Sequence, residues 1–277
     1  MGINFSEVGY RYGSREVFSG VSLAIDTGVT AIIGRNGSGK TTLLKLAAGI
    51  FQPTVGRLTW NGIPYAQALP DMKASLGFMP QDLDFPEEQT PRNLLTYLAV
   101  IRMLDTDEAM HWLTNFGVAH LADRPFGELS PGQIGLIGLA QACLGTPALL
   151  ILDEFSQHLS IEERRPIFET IKATTAGNIL LFTTHNLQDV EYLANQVVVV
   201  DNHKIRFAGP PSDLAKEAAG KVFLFDASTS LPPQAIRVHQ SSSGELRVLS
   251  EDTPDNNYRP VEATLEDGLI WVTRTAD

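Results

Sequence analysis

The spacing of hydrophobic positions changes period several times along this chain, and each change marks an element. From Phe5 to Tyr12 and from Val17 to Ile25, apolar and polar residues alternate in short runs separated by turns, the pattern of half-buried strands. Gly28–Ile33 reads as a short β-rich strand, Thr41–Ala48 as a helix closed by Gly49, and Gly56–Gly62 as a strand running into an Asn-Gly turn. Beyond about Thr90 the period lengthens. Leu94, Leu95, Leu98, Ile101 and Leu104 recur at helical spacing, as do later apolar positions through Ala142, which predicts a helical insertion between two halves of an α/β sheet. Continuous apolar runs return at Leu149–Asp153, Ile179–Thr183 and Gln196–Val200, with a helix over Ile161–Thr174 between them. That order predicts a largely parallel sheet. After about Ser212 the strand candidates become short and scattered: Lys221–Phe225, Ile236–His239, Leu246–Leu249 and Ile270–Val272. Ser241–Gly244 and the polar, Pro-bearing stretch Glu251–Pro260 separate them, and 213–277 reads as a small appended α+β unit.

The strand at Gly28–Ile33 and the helix after it flank Gly34-Arg35-Asn36-Gly37-Ser38-Gly39-Lys40-Thr41, a complete phosphate-binding loop pattern. Gly34, Gly37 and Gly39 allow backbone conformations closed to other residues and a close approach of N–H groups to phosphate oxygens. The helix N-terminus adds partial positive charge, Lys40 places an ammonium on the β and γ phosphates, and the Thr41 hydroxyl suits Mg²⁺. A second half-site lies at Leu149-Leu150-Ile151-Leu152-Asp153-Glu154. A strand apolar on both faces that ends in two acids delivers them to the ligand crevice at its C-terminal edge. Asp153 is the expected Mg²⁺ ligand, directly or through water, and Glu154 the expected base that activates water for attack on the γ-phosphoryl group.

Composition narrows the class. Hydrophobic residues make up 43% of the 277, enough for one large core and a small satellite. The longest apolar runs, Ala148–Leu152 and Val197–Val200, are too short to span a bilayer, and the N-terminus lacks a secretory pattern, which predicts an intracellular chain unless a partner tethers it. A net charge of -11, from 21 basic and 32 acidic residues, leaves no basic excess to replace counterions on a nucleic acid, so no nucleic-acid partner is expected. The single cysteine, Cys143, sits in an apolar helical pattern and excludes an intrachain disulfide.

Taken together, the motifs over residues 3 to about 212 resemble the nucleotide-binding subunit of an ATP-binding cassette (ABC) transporter. The resemblance implies an α/β P-loop NTPase cassette at 1–212, with a mostly parallel core sheet, an N-terminal antiparallel β subdomain and a helical subdomain at about 88–145, followed by an accessory unit at 213–277. It implies that Tyr12 stacks on adenine, that Gly34, Asn36, Gly37, Ser38, Gly39, Lys40, Thr41 and Thr42 hold the nucleotide, and that Thr41, Gln81 and Asp153 serve Mg²⁺. Glu154, His185, Lys40 and Gln81 are then the catalytic group, with His185 on the γ-phosphate. Leu129-Ser130-Pro131-Gly132-Gln133 is similar to the family signature, in which Ser130, Gly132 and Gln133 complete the ATP site of the opposite subunit. The cofactors implied are ATP and Mg²⁺.

Departures from the family pattern cluster on that partner-facing side. Pro131 stands where the signature has glycine and has no N–H to offer. Ile134–Ile137 replaces an Arg-containing turn, and the loop after Glu154 reads Phe155-Ser156-Gln157-His158-Leu159-Ser160, with Ser160 in place of a carboxylate. The second cassette is therefore expected to be either another copy or an unlike ATPase subunit. The implied membrane partners are separate permease subunits, with Leu83, Phe85 and Pro86 in the 82–88 stretch as contact candidates, and the implied location is the inner face of the cell membrane. Leu139–Ala142, Leu94–Leu104 and Pro260–Asp267 resemble exporter-type cassettes. A soluble non-transport ABC ATPase and a regulatory module with little hydrolysis remain the alternatives.

Overall fold

The computed structural model describes residues 1–157, 159–226, 231, 234–240, 244–251 and 258–274. The N-terminal alternation does form a hairpin, β1 (Gly2–Tyr12) and β2 (Arg15–Asp26), in the register Ile3↔Ile25, Phe5↔Leu23 and Tyr12↔Arg15. Strand β3 (Gly28–Ile33) is buried from Val29 onward and leads through the phosphate loop into α1 (Lys40–Ala47). Strand β4 (Val55–Trp60) returns to pair with β1, then turns at Asn61-Gly62, both with positive φ, into the short β5 (Ile63–Pro64). The result is an antiparallel sheet in the order β2-β1-β4-β5.

Helix α2 (Tyr65–Ala74) and strand β6 (Leu76–Met79) precede the helical stretch, which comprises α3 (Pro91–Ile101), α4 (Glu108–Asn115) and α5 (Pro131–Cys143). The sheet resumes with β7 (Leu149–Leu152), α6 (Ile161–Thr174), β8 (Ile179–Thr183), α7 (Leu187–Leu193), β9 (Gln196–Asp201) and β10 (Lys204–Gly209). Its order is β10-β9-β3-β8-β7-β6, parallel throughout except for the edge strand β10.

Alternation along these buried strands sorts side chains to two cores. Ala31, Ile33, Leu150, Leu152, Leu180, Phe182, Val197 and Val199 face the helical insertion, α6 and α7. Ile32, Leu149, Ile151, Ile179, Leu181, Val198 and Val200 face α1 and the antiparallel sheet. Because both faces are covered, only the strand ends are open for ligands, and the phosphate loop and the Asp153-Glu154 pair emerge at the same end. Among the described residues no helix is long and apolar enough to cross a membrane.

The remaining elements are α8 (Pro211–Lys216), β11 (Val222–Asp226), β12 (Ile236–Gln240), β13 (Glu245–Leu249), β14 (Tyr258–Pro260) and α9 (Leu265–Thr273). The four strands form a separate sheet, β12-β13-β11-β14. Of the separators expected from sequence, Ser241–Ser243 and positions 252–257 lie outside the described residues, as does His158. One expectation is corrected here: Ile270–Val272 is not a strand but the last part of α9. The β-favouring residues are overruled by a reciprocal cap at the helix start, where the Thr264 hydroxyl accepts from the Asp267 N–H and the Asp267 carboxylate accepts from the Thr264 N–H at 2.7 Å. Packing then keeps the helix in place. Leu265 joins the main core, Trp271 the core of the small sheet, and Gly268 meets α8 so closely that a Cβ there would lie 2.0 Å from the Leu214 carbonyl oxygen.

Asp267 also anchors the helix to β13, accepting from Arg247 Nε at 3.0 Å and Nη2 at 2.6 Å. It is fully buried. Burial pushes its carboxyl upward, but the bonds from Arg247 and Thr264 outweigh that and hold it below the ordinary carboxylate range. With the folded value below the unfolded one of about 3.9, the contribution is complete above about pH 4 and disappears as pH falls through the folded value. Asp267→Ala should cost about 3 kcal/mol at neutral pH by leaving Arg247 uncompensated. Urea unfolding should show that loss at pH 7, and a smaller difference from the parent chain well below pH 4.

Candidate active site

The phosphate loop folds as a strand-to-helix turn whose glycines carry the unusual dihedrals. Gly37 and Gly39 have φ of 76° and 111°, and Gly39 is the N-cap of α1. Lys40 is only 6% exposed, and its Nζ donates to the Gly34 and Arg35 carbonyls at 2.9 and 3.2 Å, so the ammonium lies back along its own loop. Burial lowers its pKa from the ordinary lysine value, opposed by the nearby Glu154 and Asp153 carboxylates. The Ser38 hydroxyl is buried without a hydrogen-bond partner, a donor set aside within the loop.

Across the crevice, β7 ends in Asp153 and Glu154. The Thr183 hydroxyl, from the end of β8, ties the two acids together: it donates to Asp153 Oδ1 at 2.5 Å and accepts from the Glu154 N–H at 2.8 Å. Glu154 has φ of 53°, a left-handed conformation that costs a non-glycine residue on the order of 1–3 kcal/mol. That backbone turns its side chain into the cleft. The residue is 8% exposed, with Oε1 at 2.6 Å from His185 Nε2 and Oε2 without a partner. Since a carboxylate only accepts, the histidine is held with its proton on Nε2.

These groups enclose a cleft of about 520 Å³ lined by Tyr12, Asn36, Gly37, Gly39, Lys40, Thr41, Thr42, Gln81, Glu154 and His185. The size fits a nucleotide. Tyr12 stands at its rim, 46% exposed, braced edge-on against Tyr10 and Phe51 and 3.4 Å from the Thr42 hydroxyl. Gly34, the first residue of the loop, and Asp153 do not line this cleft: Gly34 lines a neighbouring cavity, and Asp153 has its carboxylate turned to Thr183.

The donor set also fits Mg²⁺. The Thr41 hydroxyl and the Gln81 amide line the cleft, while Asp153, which does not line it, has Oδ1 taken by the Thr183 hydroxyl. Mg²⁺ is characteristically bound by one or two carboxylates together with substrate phosphates, and such a sparse set suits it.

Sequence reasoning misses four residues of the lining: Arg15, Val17, Gln157 and His203. Arg15 and Val17 reach the cleft only because β2 folds back beside β1. His203 arrives through the β9–β10 turn, for which Asn202 was the available signal; both turn residues have positive φ. A second cavity of about 370 Å³ lies between Gly34, Arg35, His185 and the α9 residues Glu266, Leu269, Ile270 and Thr273. The last helix therefore reaches the back of the phosphate loop.

Ser130, Gly132 and Gln133 are not brought into this cleft. They begin α5, where Ser130 is the N-cap, Pro131 the first helical residue, and the Gln133 side chain accepts from the Ser130 N–H at 2.9 Å. Phe155 and Ser160 of the substituted loop after Glu154 are likewise used internally. Phe155 is buried edge-on against Phe168 and Phe182, and Ser160 caps α6 in a reciprocal box with Glu163, whose carboxyl is lowered by bonds from the Ser160 backbone and side chain. Leu83 and Phe85 are half-buried on the helical insertion, with Phe85 stacked on Phe126 at 4.6 Å, while Pro86 is exposed.

A parallel sheet with a glycine-rich phosphate loop at one strand end and an acid pair at a neighbouring one defines a P-loop nucleotide triphosphatase. The chain can be placed more closely. Residues 18–157 match the family model described as ABC transporter. The chain is 30% identical over 290 residues to the Nod factor export ATP-binding protein I of Burkholderia thailandensis, an alignment covering 99% of this chain and 93% of that protein. It is 29% identical to the zinc import ATP-binding protein ZnuC of Pseudomonas aeruginosa, over 78% of this chain and 77% of the relative. Its fold matches a solved structure described as the ATP binding subunit of an ABC transporter with a TM-score of 0.71 at 22% identity, over 78% of this chain and 93% of that one. The protein belongs to the ABC transporter family and is an ATP-binding, ATP-hydrolysing subunit coupled to transport.

Proposed function

We propose that this subunit drives an exporter, with Mg-ATP held in the cleft and hydrolysed by the Glu154–His185 pair. The observation that carries the hydrolytic reading is the buried Glu154 carboxylate: one oxygen is held by His185 and the other is unpartnered in the same cleft as Lys40. In this reading Tyr12 stacks on the base, and the loop amides from Gly34 to Thr42 and the Lys40 ammonium bind the phosphates. Thr41, Gln81 and Asp153 are the residues that would hold Mg²⁺, which would supply charge neutralisation to the phosphates. Glu154 orients water and takes its proton, and the His185 Nε2 proton that meets Glu154 in this structure is shared with the γ-phosphate when nucleotide is bound. Export is favoured because relatives that align over 99% of this chain, including its C-terminal strands, are named Nod factor export subunits.

ATP binding favours closure against a second cassette, and hydrolysis removes that preference, moving separate permease subunits on the inner face of the membrane. The C-terminal unit at 213–277 is an accessory to the cassette at 1–212. Phosphate release by the purified chain, compared with Lys40→Ala, tests the assignment: release should fall by about 100-fold or more in the variant, as expected when a group stabilising transition-state charge is removed. Equal release from both would overturn it.

A second reading concerns the other cassette. The groups that act within one subunit are present, whereas Pro131 has no N–H to give across an interface, the loss of a charge-assisted donor worth about 1.5–3 kcal/mol. This supports pairing with an unlike ATPase subunit that carries an unaltered signature. With ATP and the Glu154→Gln chain alone, size-exclusion chromatography should show mainly monomer; a tight symmetric homodimer retaining two ATP would overturn the pairing.

A further inference from the structure

A buried polar cluster ties together the two loops that carry Glu154 and His185. Its centre is Asp189 in the first turn of α7, 1% exposed. Asp189 Oδ2 accepts from Ser156 Oγ at 2.6 Å and from Thr184 Oγ1 at 2.9 Å, and Oδ1 accepts from Arg164 Nη1 at 2.7 Å. Arg164 also donates to the Ser156 carbonyl at 3.3 Å and to the Leu159 carbonyl at 3.5 Å, and the Thr184 hydroxyl accepts from the Asn186 N–H at 3.0 Å. Ser156 stands two residues after Glu154, and Thr184 one residue before His185. Four segments therefore converge on one carboxylate: the loop after β7, the start of α6, the loop after β8 and α7.

A carboxylate this deep is tolerated only when its charge is matched and its oxygens are used, and here both oxygens are used by short bonds, one of them from a guanidinium. Shifting either loop would leave a buried hydroxyl or charge unpaired, so the cluster has one low-energy arrangement. We propose that Asp189 is a positioning residue that sets the Glu154–His185 contact by holding Ser156, Leu159 and the stretch 183–186 in register. It does not line the cleft and acts only through those loops. The inference rests on the reading of Glu154 and His185 as the hydrolytic pair.

The test uses the full chain with Asp189→Asn, which keeps the volume but replaces the arginine's anionic partner with an amide. Misplacing reacting groups by about 1 Å can cost on the order of 100-fold, so kcat should fall about 10–100-fold while the Kd for Mg-ATP, read with a fluorescent ATP analogue, stays within about twofold. In a chain that already carries His185→Ala, Asp189→Asn should add less than about a twofold further loss, because residues acting as a unit are not additive. If Asp189→Asn does not fold, Ser156→Ala removes the 2.6 Å bond to Asp189 and the 3.5 Å contact with the Thr184 hydroxyl while keeping the Arg164 pair, and should lower kcat about 3–10-fold at unchanged Kd. Unchanged kcat in the folded variants, a parallel loss of ATP binding, or losses that multiply on the His185→Ala background would each overturn the positioning role. Should Glu154→Gln and His185→Ala alone hydrolyse ATP like the parent chain, the reading of the pair itself falls, and with it the role of Asp189.

Discussion

Glu154→Gln should abolish turnover while leaving Mg-ATP bound. The amide keeps the size of the carboxylate and can still meet His185, but it cannot take a proton from water. General-base assistance is worth about 10²–10⁴-fold, and a reduction in kcat of that size is expected at nearly constant nucleotide affinity. The local geometry argues that the side chain is present for this purpose. Its backbone is held in a left-handed conformation, its N–H is satisfied by the Thr183 hydroxyl, and one carboxylate oxygen is buried with no partner. A residue retained only for packing would incur neither the strained backbone nor the orphaned oxygen. Single-turnover phosphate release with equilibrium nucleotide binding separates the outcomes; a variant that hydrolyses at more than about a tenth of the parent rate would exclude Glu154 as the base.

Gly34→Ala should damage the fold and the phosphate site together. Gly34 has φ of 149°, and a Cβ added there would lie 1.9 Å from the Val200 carbonyl oxygen on the neighbouring strand. That neighbour is backbone in a paired strand and cannot swing away, because β9 is locked to β3 by the register Ile33↔Val199. Backbone strain of about 1–3 kcal/mol and overpacking of about 1–3 kcal/mol together predict a loss of roughly 2–6 kcal/mol. The displaced loop would also carry away the Gly34 carbonyl that receives Lys40. Thermal unfolding and ATP binding should both worsen; a variant with the parent's melting temperature and affinity would show that the strand ends open freely.

Short-range pattern was enough for much of this. The complete loop pattern with its flanking strand and helix, the apolar strand ending in two acids, and the Ser130-Pro131 helix start are all set by residues within a few positions of one another, so a linear reading reaches them. The helix Ile161–Thr174 and the strand Ile179–Thr183 fall where the periodicity puts them. Pattern fails where distant segments decide. Ile270–Val272 has the composition of a strand, yet the Thr264–Asp267 cap and the seat of Gly268 on the Leu214 carbonyl make it helical. Strands β6 and β10 are too short or too mixed to announce themselves and exist because a sheet neighbour supplies their hydrogen bonds. In the site, the residues themselves marked Lys40, Asp153 and Glu154 as candidates for the nucleotide, and the family resemblance added His185. Tertiary structure decided that Glu154 and His185 meet at 2.6 Å, that Arg15 and His203 join the cleft, and that Asp189 gathers the loops. The physical reason is that a motif records the chemistry a short segment can perform, whereas contact between loops from different strands is set by sheet order and by buried charges that can be satisfied in only one arrangement.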